Sequence, residues 1–166
     1  QWAKHLGATV IGTVSTEEKA KIARLNGCSH VINYSKQNFL EIVNDITNGQ
    51  GVNYVCDGVG KDTFLGSCQS LKQFGIISIF GSSSGHIDEK LIKNFPSEKY
   101  LIKTTLPGYT ATREKLISCS TDLFNVIHAG VINVLINKTI KLEKIPEAHK
   151  ELENRETVGS TIIEIE

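Results

Sequence analysis

The stretch Thr9-Val10-Ile11-Gly12-Thr13-Val14-Ser15-Thr16-Glu17-Glu18-Lys19 decides the fold class. Its first six residues are β-branched or small and carry no charge, the composition of a short buried strand. Ser15 follows, with Glu18 three residues on, a capping-box spacing that opens a helix. Ala20, Ile22, Ala23 and Leu25 give that helix an apolar side, and Asn26-Gly27 closes it. A buried strand running directly into a capped helix is the first half of a βαβ unit. Upstream, Gln1 to Leu6 reads as the tail of a further helix stopped by Gly7. With Gln1 rather than Met in first place, the expectation is a chain cut from a longer protein.

Downstream the unit recurs. His30 to Tyr34 is a strand, and a helix over 38–47 places Phe39, Leu40, Ile42, Val43 and Ile46 at helical spacing. Asn48-Gly49-Gln50-Gly51 is a turn. Val52 to Asp57 is a strand broken by Gly58-Val59-Gly60, residues 63–71 form a short helix, and Gly75 to Gly81 is the next strand, ending in the polar loop Ser82-Ser83-Ser84-Gly85. Tyr100 to Thr104 is a last strand before a Pro107-Gly108 turn. Short apolar strands alternating with helices predict an α/β protein with a parallel sheet, covered by helices on both faces and doubly wound through right-handed crossovers. Beyond lie a long helix over 113–129, a short strand at 140–142, a helix over 146–154 and a strand over 161–165. The expected division is therefore residues 1–108 and residues 109–166.

The 18 basic residues balance the 18 acidic ones and form no stripe, which argues against nucleic acid as a partner. No apolar run approaches the roughly 20 residues of a membrane span. Cys28, Cys56, Cys68 and Cys119 fall in no C-x-x-C pair or zinc-finger spacing, so they read as reduced thiols of a cytoplasmic protein without a structural zinc. His5, His30, His86, His128 and His149 are scattered, with no metal-binding spacing among them.

Ligands of doubly wound sheets sit at the carboxyl ends of the strands. The first strand ends in Thr13-Val14-Ser15-Thr16, where an NAD-selective domain carries an acid for the ribose 2′-hydroxyl. Hydroxyls, a helix N-terminus and Lys19 would instead accept a 2′-phosphate, which favours NADPH; equally, Ser15 and Thr16 cap the helix and Lys19 is a surface charge. Tyr34 either flanks an adenine or is a half-buried aromatic. Gly58 and Gly60, around Val59, either let the backbone approach a cofactor or make an ordinary strand-to-helix turn. Phe80, Gly81 and Ser83 either reach the nicotinamide side or belong to a flexible loop. Gly81-Ser82-Ser83-Ser84-Gly85 also matches the G-x-S-x-G pattern of a nucleophile elbow, without an evident downstream Asp-then-His partner set.

Taken together, the stretches 11–19, 31–34, 57–63 and 80–85 resemble the NADPH-dependent quinone oxidoreductases related to zeta-crystallin, the zinc-free medium-chain dehydrogenases/reductases. Gly108-Tyr109-x-x-Thr112-Arg113-Glu114 and Leu152-Glu153-Asn154-Arg155-x-x-x-Gly159-Ser160 extend the likeness over the whole chain. The resemblance implies that Ser15, Thr16, Lys19 and Tyr34 surround the adenosine phosphate end of NADPH. It places Phe80, Gly81 and Ser83 near the nicotinamide and has Arg155 reach the cofactor. It implies hydride transfer to a quinone or related α,β-unsaturated carbonyl, no zinc, and a homodimer through the strand near Tyr100–Thr104. It further implies a Rossmann-type sheet without its first strand and Gly-rich loop, with residues from 109 on belonging to a GroES-like catalytic domain. Such a chain would bind NADPH weakly or not at all and not turn over alone. The competing readings are a non-catalytic remnant or nucleotide-binding module, and a Rossmann-like methyltransferase, which the missing acid at the first strand end disfavours.

Overall fold

The computed structural model describes residues 1–154 and 156–165. The chain falls into two compact units, Val10–Ser120 and Gln1–Thr9 with Thr121–Glu166; the division read from sequence, after residue 108, falls inside the first.

In the unit Val10–Ser120, β1 (Ile11–Val14) leads into α2 (Glu17–Leu25), preceded in the chain by α1 (Trp2–His5), and β2 (His30–Asn33) into α3 (Phe39–Ile46). The strand β3 (Val52–Asp57) leads into α4 (Phe64–Gln69) and β4 (Leu71–Ile79), then α5 (Glu89–Lys93), β5 (Tyr100–Lys103), α6 (Leu106–Tyr109) and α7 (Arg113–His128), which runs on into the second unit. Strand pairing is parallel throughout: β1 with β2, and β3–β4–β5. The parallel α/β architecture of the sequence reading is therefore present. No ladder joins the two sheets among the described residues. Strands of such sheets are buried on both faces, yet β3 leaves Tyr54 49% exposed and Cys56 exposed too. A core cluster lies between α4 and β4 instead: Phe64, Cys68, Leu71, Ile77 and Ile79 are buried together, with the Phe95 ring tilted against Phe64 at 6.3 Å between centroids.

Three local expectations are corrected. Strand β4 begins at Leu71 rather than Gly75, because Val52 pairs with Leu71 and Tyr54 with Ile76, leaving extra residues bulged out on the β4 side. Phe74 sits in that bulge at φ 59, its amide bonded to the carbonyl of Glu98. Gly75 follows it where a Cβ would lie 2.9 Å from the Lys72 carbonyl oxygen. Residues 89–93, not foreseen as helical, form α5 because the Asp88 carboxylate accepts the Lys90 amide. The Pro107-Gly108 turn is the short helix α6, capped by Thr105.

In the second unit, β6 (Ile136–Lys141) pairs in parallel with β7 (Ser160–Glu164), and a 3-10 turn (Leu142–Lys144) leads into α8 (Ile145–Glu153). Lys138 on β6 bonds Glu151 on α8 at 2.6 Å, and the Gln1 side chain donates to the Asn133 carbonyl at 3.0 Å while accepting its amide. Strand β6 starts four residues before the expected Ile140; its Asn137 and Lys138 disguise an exposed strand as loop.

Candidate functional site at the strand ends

The ends of β1 and β2 meet. Val14 pairs with Asn33, and the Tyr34 amide donates to the Val14 carbonyl at 3.0 Å. This sets Tyr34, 46% exposed, beside the β1–α2 loop that carries Ser15 and Thr16. Asn33 is buried, and its side-chain oxygen accepts the Ser35 amide, which fixes the turn after β2. The helix cap is one residue later than the capping-box spacing suggested. Thr16 in extended conformation, not Ser15, is the N-cap, accepting the Lys19 amide at 3.2 Å. Glu18 is held below the usual carboxylate range by hydrogen bonds from its own amide and the Thr16 side chain, with Lys21 and Lys36 adding to the effect against a small desolvation. Ser15, Thr16 and Tyr34 thus share one strand end, and Lys19 follows in the first turn of α2, where Glu17 and Glu18 also lie and Lys21 and Lys36 act on Glu18.

The ends of β3 and β4 form a second group. Two loops, 58–62 and 80–85, interlock there. The Phe80 amide donates to the Asp57 carbonyl at 3.0 Å, and those of Ser83 and Ser84 to Gly58 and Val59 at 3.4 and 2.9 Å. In return the Lys61 amide donates to the Gly85 carbonyl at 3.2 Å and the Asp62 amide to the Ser84 hydroxyl at 3.0 Å. Glycine is needed for this approach. A Cβ on Gly81 would lie 2.5 Å from the Gly58 carbonyl oxygen, and one on Gly58 would lie 2.9 Å from the Phe80 ring. The space that a side chain would fill at these glycines is occupied by the facing loop. Phe80 stays 61% exposed over Gly58, and Val59 36% exposed. Gly58, Val59, Phe80, Gly81 and Ser83 therefore stand as one cluster, joined to the first group by no hydrogen bond among the described residues. Arg155 lies outside the described residues.

Sequence reasoning passed over the residue beneath this cluster. Asp57 is 4% exposed, and its carboxylate accepts the amides of Val59 and Gly60 at 2.9 and 3.0 Å, the Thr63 hydroxyl at 2.8 Å and the Ser67 hydroxyl at 2.8 Å. Burial alone would raise its pKa, but the bonds from Gly60, Ser67, Thr63 and Val59 together hold it below the ordinary value. The signal was legible: an acid closing a strand, followed by Gly-x-Gly and by hydroxyls six and ten residues on.

Two other chemistries fail on geometry. A nucleophile elbow needs a helix directly after the serine; here residues 82–85 turn onto the 58–62 loop, and α5 begins only at Glu89. Burial pushes the Cys68 thiol up to about 11, Lys99 opposing and Asp57 adding, so it holds no thiolate at neutral pH.

Residues 1–121 match the family described as zinc-binding dehydrogenase, and the chain belongs to it. Within that family it is similar to a 2-haloacrylate reductase of a Burkholderia species (41% identity over 98% of this chain and 50% of the relative) and to quinone oxidoreductase 1 of Escherichia coli K12 (40% over 98% and 51%). The crystal structure of Escherichia coli quinone oxidoreductase complexed with NADPH superposes with a TM-score of 0.89 at 39% identity, covering 98% of this chain and 51% of that one. The chain spans about half the length of these relatives. Despite the family's name, no group of three His, Cys, Asp or Glu side chains among the described residues is placed to hold a metal ion. No helix among them is long and apolar enough to cross a membrane.

Proposed function

We propose that this chain is the cofactor-binding part of a cytoplasmic, zinc-independent NADPH:quinone reductase, whose complete form reduces a quinone or related α,β-unsaturated carbonyl. Bound NADPH supplies the hydride. The chain's own residues bind and orient the cofactor: Ser15, Thr16, Lys19 and Tyr34 at the adenosine 2′-phosphate, Phe80, Gly81 and Ser83 near the nicotinamide, the Gly58–Val59 backbone approaching the cofactor beside them, and Arg155 reaching it. The observation that carries this reading is the first strand end: residues 13–16 hold no carboxylate, and Lys19 stands in the first turn of α2, its amide bonded to the Thr16 hydroxyl. A 2′-phosphate is accepted there by the helix N-terminus and the lysine, whereas a ribose diol finds no acid at the strand end itself, Glu17 and Glu18 lying beyond it in the first turn of α2. The relatives named above support the reaction class.

The reading extends to a homodimer through the strand near Tyr100–Thr104. The edge of β5, unpaired among the described residues, and the exposed Tyr100 and Ile102 support it. Residues from 109 on belong to the catalytic domain in this account. A nucleotide-binding module without turnover is the second reading, favoured for the chain alone by the edges of β1 and β3, likewise unpaired among the described residues.

Titration with adenosine 2′,5′-bisphosphate against 5′-AMP tests the phosphate site directly. The bisphosphate binding at least about tenfold more tightly is expected from one added charge-assisted contact; equal binding contradicts the site.

A further inference from the structure

The end of β4 has been assigned to the nicotinamide and the β3 end that interlocks with it to the cofactor, and the role inferred for Asp57 rests on that reading. Glycine-rich loops at strand ends commonly hold phosphates by presenting backbone amides to them. Here those amides are turned inward. Val59 and Gly60 donate to Asp57, Lys61 to Gly85, Asp62 to Ser84, and Thr63 and Phe64 to the Gly60 carbonyl. On the facing loop, Phe80, Ser83, Ser84 and Gly85 donate to Asp57, Gly58, Val59 and Ser82. The loop pair uses most of its donors on itself and carries a buried carboxylate underneath.

The geometry points to Asp57 as a positioning and charge-setting residue: it fixes the 58–60 loop and gives this end of the site a negative underside that excludes phosphate and favours the cationic, oxidised nicotinamide ring over the neutral reduced one. The carboxylate's charge acts through a single layer of backbone. Its hydroxyl partners Thr63 and Ser67 can rotate to accept from an amide, so Asp57→Asn keeps the shape of the hydrogen-bond set while removing the charge. Ser67→Ala does the converse, removing one bond from the 2.8 Å contact while the charge stays.

The test is the ratio of dissociation constants for NADP⁺ and NADPH, measured by calorimetry on the protein and both variants, with thermal unfolding recorded alongside. In Asp57→Asn the oxidised form loses about threefold or more in affinity relative to the reduced form, the size expected for one charge several ångströms away in a partly solvated site. In Ser67→Ala the ratio stays at its original value even where stability falls. Equal weakening of both forms by Asp57→Asn, or a ratio shifted as far by Ser67→Ala, makes Asp57 merely structural and overturns the inference while leaving the proposed function standing. Failure of the unaltered chain to bind either form overturns the cofactor site proposed for this chain by itself, and this inference with it.

Discussion

The Thr16 hydroxyl accepts the Lys19 amide at 3.2 Å, so the cap of α2 and the cation assigned to the cofactor phosphate are one piece of local structure. Replacing Thr16 by alanine leaves that amide without its partner and costs about 1 kcal/mol of stability. Thr16→Ser keeps the acceptor and recovers most of the loss. Urea denaturation of the three proteins distinguishes them; identical midpoints for all three would remove Thr16 from the cap.

Gly81 is required by space, not by backbone conformation: it is absent from the positive-φ glycines, and a Cβ there would meet the Gly58 carbonyl oxygen at 2.5 Å. Backbone cannot yield as a flexible side chain can. Gly81→Ala is expected to cost about 1–3 kcal/mol and to part the two loops. Gly7→Ala tests the other cause: Gly7 has φ 87 and nothing within 4 Å, so any cost there is conformational. Hydrogen exchange reads the difference, with faster exchange at the Ser83 and Ser84 amides in Gly81→Ala alone.

Phe64 is 2% exposed and anchors the cluster with Cys68, Leu71, Ile77 and Ile79. Truncation to alanine removes a ring that the rigid strand β4 cannot collapse to replace, at about 3–5 kcal/mol. Thermal unfolding of Phe64→Ala against Phe64→Leu, the milder change, checks the order.

The depressed carboxyl of Asp57 sets an acid limit. Its unfolded value is about 3.9, and the folded value lies lower. The stabilisation is therefore fully present above about pH 4 and is lost as pH falls through the unfolded value toward the folded one. Asp57→Asn should flatten the dependence of stability on pH between about 5 and 2, while Glu147→Gln, which removes only a solvent-screened surface pair with Lys144, changes it far less. Denaturation midpoints at several pH values decide this.

The parallel strands were legible because burial on two faces leaves apolar runs such as Ile76-Ile77 and Ile79, and the helices because apolar residues recur at their own period, as in α3. What stayed hidden has physical causes. Phe74 gives no sign of a positive φ, since glycine or asparagine is the usual occupant, so the bulge in β4 was invisible. The shift of the α2 cap from Ser15 to Thr16 is a choice between two adjacent hydroxyls that spacing alone does not make. Residues of the candidate site could be named from strand ends because topology puts ligands there. At Asp57 the spacing to the hydroxyls was visible, but their convergence was not, because Thr63 at the N-cap of α4 and Ser67 within it meet the carboxylate only once α4 has packed.

The most direct measurement is calorimetric titration of the 166-residue chain with NADPH and, separately, NADH, repeated for Lys19→Ala. The account predicts tighter binding of NADPH, with the preference falling by about tenfold in the variant, as expected for loss of one partly screened charge contact to phosphate. Equal or NADH-favoured binding, or a preference unchanged by Lys19→Ala, would contradict a 2′-phosphate site at the end of the first strand.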